Sequence, residues 1–283
     1  MKFLLGTVQF GLDYGINNSS GRVPAEEVES ILRLAEQSGI RMLDTSFGYG
    51  ESESVLGKFN QYDFFNFKII SKYPQNQKPV EEIFTQTLER LNCDRLYGYL
   101  IHHFISYRQN AKLWDSFIRL KERGKVEKIG FSLYSTEELD YLLDNNVQFD
   151  LIQIPYNIFD TKFGVYFEEL KTRRVEIHTR SVYLQGLFFM NPESLNGKLV
   201  KLKPYLLALM DYCDAEQISV EQLALGFVSD NPYIDGVLIG IDTATQLKRN
   251  LEIQETKLKE GDFQFVRTIE IKEKEMLNPV NWK

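Results

Sequence analysis

Short apolar or β-branched runs alternate with longer amphipathic ones from end to end of the chain, and this alternation constrains the fold more than any other feature. The strand-like runs are LLGTVQF (4–10), RMLDTS (41–46), FKIISKY (67–73), LYGYLIHH (96–103), VEKIGFSL (126–133), FDLIQIPY (149–156), VEIHTRSVY (175–183) and IDGVLIGI (234–241). A strand that reaches the next through a helix pairs with it in parallel, so the pattern specifies an α/β fold built of βαβ units. Eight such units in 283 residues match a (β/α)8 TIM barrel, expected here as a single domain spanning residues 1–283.

The helical stretches carry their own end signals. Pro24 opens AEEVESILRLAEQSG, which has acids in its first turn and Gly39 at its end. That asymmetry follows from proline's missing N–H, the helix dipole and glycine's left-handed freedom. VEEIFTQTLERLN, AKLWDSFIRLKERG, TEELDYLLDNN, VYFEELKTR, VEQLALGFV and ATQLKRNLEIQ fill later connections, and IEIKEKEM reads as a helix near the C-terminus. An additional helix, PYLLALMDYCDAEQ, lengthens the connection between the seventh and eighth strands. No low-complexity tract, repeat or linker marks a domain boundary.

Composition narrows the function classes. A net charge of −7 argues against a surface that tracks nucleic-acid phosphates, because counterion release needs clustered Lys and Arg. Gly6, Gln9 and Asp13 interrupt the opening apolar run before a signal-peptide core or a spanning helix could form. Cys93 and Cys213 have neither metal-ligand spacing nor a disulfide framework, which points to a reducing compartment. The expectation is a cytoplasmic monomer or homodimer that acts on a small molecule, with no metal, nucleic-acid or membrane partner.

Residues able to do chemistry gather at strand ends. Asp44 and Tyr49 lie at or just beyond the second run, Lys72 near the end of the third and His102 near the end of the fourth. The C-terminal strand ends of a barrel share one rim, so these four would converge. Such a group can hand a proton to a carbonyl. Lys72 would lower the pKa of the Tyr49 phenol, Asp44 would hold the ammonium, and His102 would orient the substrate oxygen. Taken singly, a buried Tyr or Asp near a strand end more often serves structure. A lyase or isomerase could instead use Lys72 as a Schiff-base amine, but pairing with Asp44 would keep it protonated.

Gly6-Thr7 in the first run, DTSFGYG (44–50), Lys72 near the end of the third and LIH (100–102) in the fourth resemble the aldo-keto reductase pattern in order and spacing. The resemblance extends through IGFS (129–132), FDLIQIPYN (149–157), the QGL of RSVYLQGL (180–187) and QLALGFV through IGIDTATQLKRNL (222–251). It implies a barrel that binds NAD(H) or NADP(H) in extended form at the C-terminal rim and reduces a small carbonyl substrate by hydride transfer. It also implies Tyr49, Lys72, Asp44 and His102 as the catalytic group, with Tyr49 as acid in reduction and base in oxidation. The LIH match selects His102 over His103, and strand alternation lets only one of the two face the centre. By the same resemblance Gly6, Thr7 and Asp44 lie beside the nicotinamide half, and Ser132 and Gln153 lie near its carboxamide. Arg180, Ser181, Gln185, Gly186, Gly240, Asp242, Thr243, Gln246 and Asn250 complete the implied cofactor contacts. A cofactor-binding sensor or scaffold with little turnover is the alternative, which retention of all four catalytic residue types opposes.

Some positions depart from the family pattern. Leu133 stands where many relatives have Asn, which removes one carboxamide hydrogen bond. Arg180 stands where many have a Tyr that stacks on the nicotinamide. A guanidinium can also stack, though it repels the oxidised ring, or it can point toward an acidic substrate group or a carboxylate neighbour. Asp242 stands where many have the Lys or Arg that holds the 2′-phosphate of NADPH. An acid repels phosphate but accepts a hydrogen bond from a free ribose hydroxyl. Gln246 replaces another frequent phosphate-binding Arg, Asn250 keeps the adenine contact, and Lys248 or Arg249 could compensate. The family therefore favours NADP(H), Asp242 and Gln246 favour NAD(H), and the choice stays open. Thr243 and Ala244 would offer free N–H groups to a phosphate in either case. Gly11 and Gly15 read as ordinary loop glycines.

The chain stops soon after IEIKEKEM, in LNPVNWK, so the loop that closes over substrate in many relatives is expected to be short and the pocket open. Tyr14, Phe47, Tyr156 and Tyr183, with Phe159 and Trp282, are candidate pocket aromatics. IGFSLYS, QIPYNIFD and RSVYLQGL look most like a bacterial branch of the family associated with carbohydrate and surface-polysaccharide gene sets. That resemblance implies a sugar or sugar-derived carbonyl as substrate.

Overall fold

The computed structural model describes residues 2–16, 18, 21–60, 66–75, 78–254 and 257–282. Eight parallel strands close into a barrel: β1 (Phe3–Gly6), β2 (Met42–Asp44), β3 (Lys68–Tyr73), β4 (Leu96–Ile101), β5 (Val126–Ser132), β6 (Leu151–Pro155), β7 (Glu176–Arg180) and β8 (Gly236–Gly240). Each strand pairs with the next in sequence, and β1 closes on β8 from Phe3↔Val237 to Gly6↔Gly240. The α/β barrel expected from the alternation is the fold found.

Most of the expected helices form, among them Ala25–Gln37 with Pro24 as its N-cap, Val80–Leu91, Thr136–Asp144, Val220–Ser229 and Ala244–Gln254. The additional helix between β7 and β8 is Lys203–Glu216. Ser52–Asn60, Phe104–Gln109 and Glu260–Thr268 are helices that the sequence reading lacks. IEIKEKEM is not helical, and only its end enters the 3₁₀ turn Lys274–Leu277. Ile269 and Ile271, two residues apart, both pack into one apolar cluster, a spacing that a single helix face does not offer.

The first run also ends earlier than expected. β1 stops at Gly6, and Val8–Gly11 forms a helical turn instead of strand. Gly11 is there because of a close approach: a Cβ on it would lie 1.9 Å from the Tyr49 backbone O and 2.4 Å from Ser52 N. The missing side chain lets the first βα turn press against the loop that carries Tyr49.

The main apolar layer lies between strands and helices, where Leu43, Tyr99, Phe131 and Ile177 meet Ile31, Phe84, Phe117 and Leu170. Each fully buried side chain of this size contributes about 1.5–3 kcal/mol. A second cluster containing Leu4, Ile70, Leu100 and Leu151 joins alternate residues of five-to-seven-residue or shorter strand segments across the ring. Such a barrel is a packed core rather than a pore, which confines chemistry to its rim. No helix among the described residues is long and apolar enough to cross a membrane.

Candidate active site

Strand ends set the site. Gly6, Asp44, Ser132, Arg180 and Gly240 are the last residues of β1, β2, β5, β7 and β8, Lys72 is the penultimate residue of β3, and His102 follows β4. Lys72 Nζ donates to Asp44 Oδ1 at 2.5 Å and to the Thr45 backbone O at 2.8 Å, and both charged side chains are buried. The other Asp44 oxygen accepts from Gln153 Nε2 at 2.7 Å. The Lys72 ammonium lies 5.0 Å from the centre of the Tyr49 ring, and Tyr49 meets His102 edge-on at 5.5 Å. The structure thus brings all four expected residues together.

His102 has a partner that the sequence reading lacks. Its Nδ1 lies 3.1 Å from Ser46 Oγ, which itself accepts from Gly48 N at 3.1 Å. His103 stacks against His102 at 4.6 Å, yet only His102 lines the cleft. Burial holds the His102 imidazole well below its usual 6.5, reinforced by the positive charges of Lys72, His103 and Arg180. Burial also pushes the Tyr49 phenol well above its usual 10.0, with the Asp44 carboxylate adding to the rise. Burial and the Asp44 carboxylate thus set the net direction, opposite to the lowering expected from Lys72. The ammonium faces the ring, and its charge is answered by Asp44. Lys72 is itself lowered by burial, against the opposing pull of Asp44.

Tyr49 and His102 line a cleft of about 430 Å³ whose wall also includes Gly6, Gln9, Ser132, Gln153, Arg180, Ser181, Gln185, Gly186, Gly240, Asp242, Gln246, Arg249 and Asn250. One cleft therefore joins the proton-transfer group to the residues expected at the far end of an extended dinucleotide. The chemistry of its wall fits such a ligand. A Cβ on Gly240 would lie 2.6 Å from Gln9 Nε2, so glycine keeps this floor low. Buried Gln9 Oε1 and Asp242 Oδ1 have no hydrogen-bond partner among the described residues, and both can accept from ligand hydroxyl or amide groups.

Other expected contacts lie elsewhere. Thr7 is buried beneath the cleft, where its hydroxyl donates to the Asp44 backbone O at 3.0 Å and pairs with Ser52 Oγ at 2.8 Å. Its place is support for Asp44 rather than contact with a ring. Three N–H groups near the start of Ala244–Gln254 are engaged: Asp242 N donates to Gln246 Oε1 at 2.8 Å, Ala244 N to Glu27 Oε1 at 2.6 Å and Gln246 N to Thr243 Oγ1 at 3.1 Å. Arg249 pairs with Glu221 at 2.7 Å, and Asn250 Oδ1 accepts from Tyr183 OH at 2.6 Å. The expectation of a free amide at Ala244 is corrected by its Glu27 acceptor.

Among the candidate aromatics, Tyr14 and Tyr183 line the cleft. Phe47 instead lies under the Arg90 guanidinium at 3.9 Å and packs against the main core. Tyr156 stands three residues beyond Gln153, hence on the opposite strand face, and stacks on Phe227 at 5.5 Å. Phe159 and Trp282 pack in the second large apolar cluster with Leu206 and Leu209. Leu133 is buried, and its carbonyl accepts from Arg180 Nη2 at 3.0 Å. Gln9, Ser46 and Tyr134 belong to the site and were not anticipated. Ser46 alone had a local signal, as a hydroxyl inside DTSFGYG.

The aldo/keto reductase family profile matches residues 2–271. The chain is 25% identical over 253 residues to L-galactose dehydrogenase of Arabidopsis thaliana, covering 82% of this chain and 79% of that protein. It is 25% identical over 241 residues to the chloroplastic pyridoxal reductase of the same plant, covering 71% and 66%. An aldo-keto reductase from Bacillus halodurans in its holo form superposes with a TM-score of 0.76 at 20% identity, covering 95% of this chain and 92% of that one. A mutant of the protein Gox0644 in complex with NADPH gives a TM-score of 0.70 at 18% identity, covering 96% and 90%. These two likenesses establish the common fold. With the profile spanning nearly the whole chain, the protein belongs to the aldo/keto reductase family, the NAD(P)H-dependent carbonyl oxidoreductases.

Proposed function

We propose that the protein reduces a sugar-derived aldehyde or ketone, with Tyr49 as proton donor and NADH as its cofactor. The carrying observation is the buried Asp44–Lys72 pair set behind Tyr49 and His102 at the wall of one continuous cleft. The bound nicotinamide supplies the hydride. Tyr49 gives its proton to the carbonyl oxygen as that oxygen gains charge. A phenol raised above its usual range is protonated near neutral pH and so is available as a donor. Lys72 stabilises the phenolate left behind, and Asp44 and Gln153 hold Lys72 in place. His102 is neutral. With Ser46 donating to Nδ1, its ring proton sits on Nε2 and is available to the same oxygen. In oxidation the roles of donor and acceptor reverse.

The preference for NADH rests on what surrounds Asp242. A 2′-phosphate there would meet that carboxylate and the nearby Glu27, and the Asp242, Ala244 and Gln246 amides already have acceptors. Arg249 is engaged by Glu221. The unpartnered Asp242 Oδ1 can instead accept from a ribose hydroxyl. For the substrate, the support is the sequence resemblance together with a relative named for its action on L-galactose.

Steady-state reduction followed by nicotinamide absorbance tests both parts. Tyr49→Phe should lower kcat about 10²–10⁴-fold while the Kd for cofactor moves by less than about twofold. An active Tyr49→Phe enzyme would refute the acid assignment. NADH should bind at least about tenfold more tightly than NADPH, a difference of about 1.4 kcal/mol, and Asp242→Ser should narrow the gap. Equal affinities in the wild type would remove the cofactor assignment and leave the reductase reading intact.

A further inference from the structure

We infer that the substrate carries an anionic oxyacid group, a carboxylate or a phosphate, and that Arg180 receives it beside the reacting carbonyl. This rests on the reductase reading above. Arg180 ends β7 and lines the same cleft as Tyr49 and His102. Its guanidinium is held in place from several sides: Nη2 donates to the Leu133 backbone O at 3.0 Å, Nη1 reaches Ser181 Oγ at 3.4 Å, and the group lies over the Tyr134 ring at 4.0 Å. The backbone is fixed as well. Arg180 O accepts from Tyr156 N at 3.2 Å, and Ser181, at φ 62°, has its carbonyl tied to Asn157 Nδ2 at 3.0 Å. A non-glycine residue in that left-handed conformation is a cost that persists where the surroundings impose it.

What the guanidinium lacks is a counter-charge. Among the described residues no carboxylate pairs with Arg180, whereas Lys72 and Arg249, the nearby cations, have Asp44 and Glu221. Its protein acceptors are a neutral carbonyl and a neutral hydroxyl, and its buried Nε has none. A guanidinium offers five N–H groups, so one on each terminal nitrogen is left for a ligand. A rigid, half-buried and uncompensated cation is stabilised when an anion arrives, and paired oxygens fit its fork. The reduced nicotinamide ring is uncharged and cannot serve. An anion on the substrate completes the site, and it fixes which carbonyl carbon faces the proton-transfer group.

The test is isothermal titration of the chain in saturating NADH with matched alcohol products, which NADH cannot reduce: 4-(hydroxymethyl)benzoate against 4-nitrobenzyl alcohol, and glycerol 3-phosphate against glycerol. The wild type should bind the anionic member of one pair at least about tenfold more tightly, and the pair that discriminates identifies carboxylate or phosphate. Arg180→Met keeps an apolar stem against Tyr134 and should abolish discrimination by weakening the anionic member. Arg180→Lys should retain part of it. No discrimination by the wild type in either pair overturns the proposal, and that comparison needs no variant to fold. Lost NADH affinity in Arg180→Met with discrimination intact also overturns it, by assigning Arg180 to the cofactor. Because the readout is binding of alcohols that NADH cannot reduce, failure of the reductase reading appears separately, as absence of turnover of the corresponding aldehydes.

Discussion

A neutral imidazole at position 102 makes stability depend on pH in a definite direction. His102 and His103 both titrate below the usual 6.5 in the folded chain, chiefly through burial. Above pH 6.5 each is neutral in both states and contributes no slope. Below it the unfolded chain binds protons that the folded chain resists, so stability falls by up to ~1.4 kcal/mol per pH unit at His102 until its folded pKa is reached, and by less at the more exposed His103. Urea unfolding at about pH 6.5 and about pH 5.5 should show His102→Asn losing about 1 kcal/mol less than the wild type. Equal losses would mean that the folded state carries a charged His102. Asp44, Tyr49, Lys72 and His102 were readable because each stands at or beside a strand end. Ser46, the partner of His102, was not, because that contact joins residues 56 positions apart.

The helix Thr136–Asp144 shows how one element serves the site. Glu138 Oε2 accepts from Tyr134 N at 2.6 Å and from Ser135 N at 3.2 Å, as part of a reciprocal cap with Ser135. The same bond holds Tyr134 where its ring underlies Arg180. Glu138→Ala should therefore cost about 1 kcal/mol in urea unfolding and also weaken binding of the Arg180-directed alcohols. Unchanged stability would show that the cap contributes nothing measurable. Helices with proline, acidic or asparagine end signals were readable, and Ser52–Asn60 was not. Its Gly57 looks like a breaker in sequence, yet a Cβ there would lie 2.0 Å from the Arg90 backbone O. The glycine admits a neighbouring helix instead of ending its own, and no local pattern distinguishes those uses.

Closure of the ring is uneven at the scale of the whole molecule. β4 and β5 stay in register from Leu96↔Val126 to Ile101↔Phe131, whereas β7 and β8 pair at His178↔Gly236 and Thr179↔Val237. Hydrogen exchange followed by mass spectrometry should find the slowest amides in β3 to β5 and faster exchange at the β7–β8 seam. Uniform protection of all eight strands would instead show that the barrel opens only as one unit. The β7–β8 seam, like the equally short β1–β2 pairing at Leu5↔Leu43 and Gly6↔Asp44, ends at the cleft, beside Arg180 and Ser181.

The sequence by itself determined the barrel, the order of its strands and the rim on which Asp44, Tyr49, Lys72 and His102 stand. Alternation, β-branching and end signals act over a few residues and so are written in the local order of the chain. The tertiary structure alone decided which charges are answered. Glu27 meets Ala244 across 217 positions and Gln153 meets Asp44 across 109, while Arg180 is left without a carboxylate among the described residues. Such pairings depend on strand register and ring closure, which bring distant side chains within about 3 Å or keep them apart, and no spacing along the chain encodes that distance.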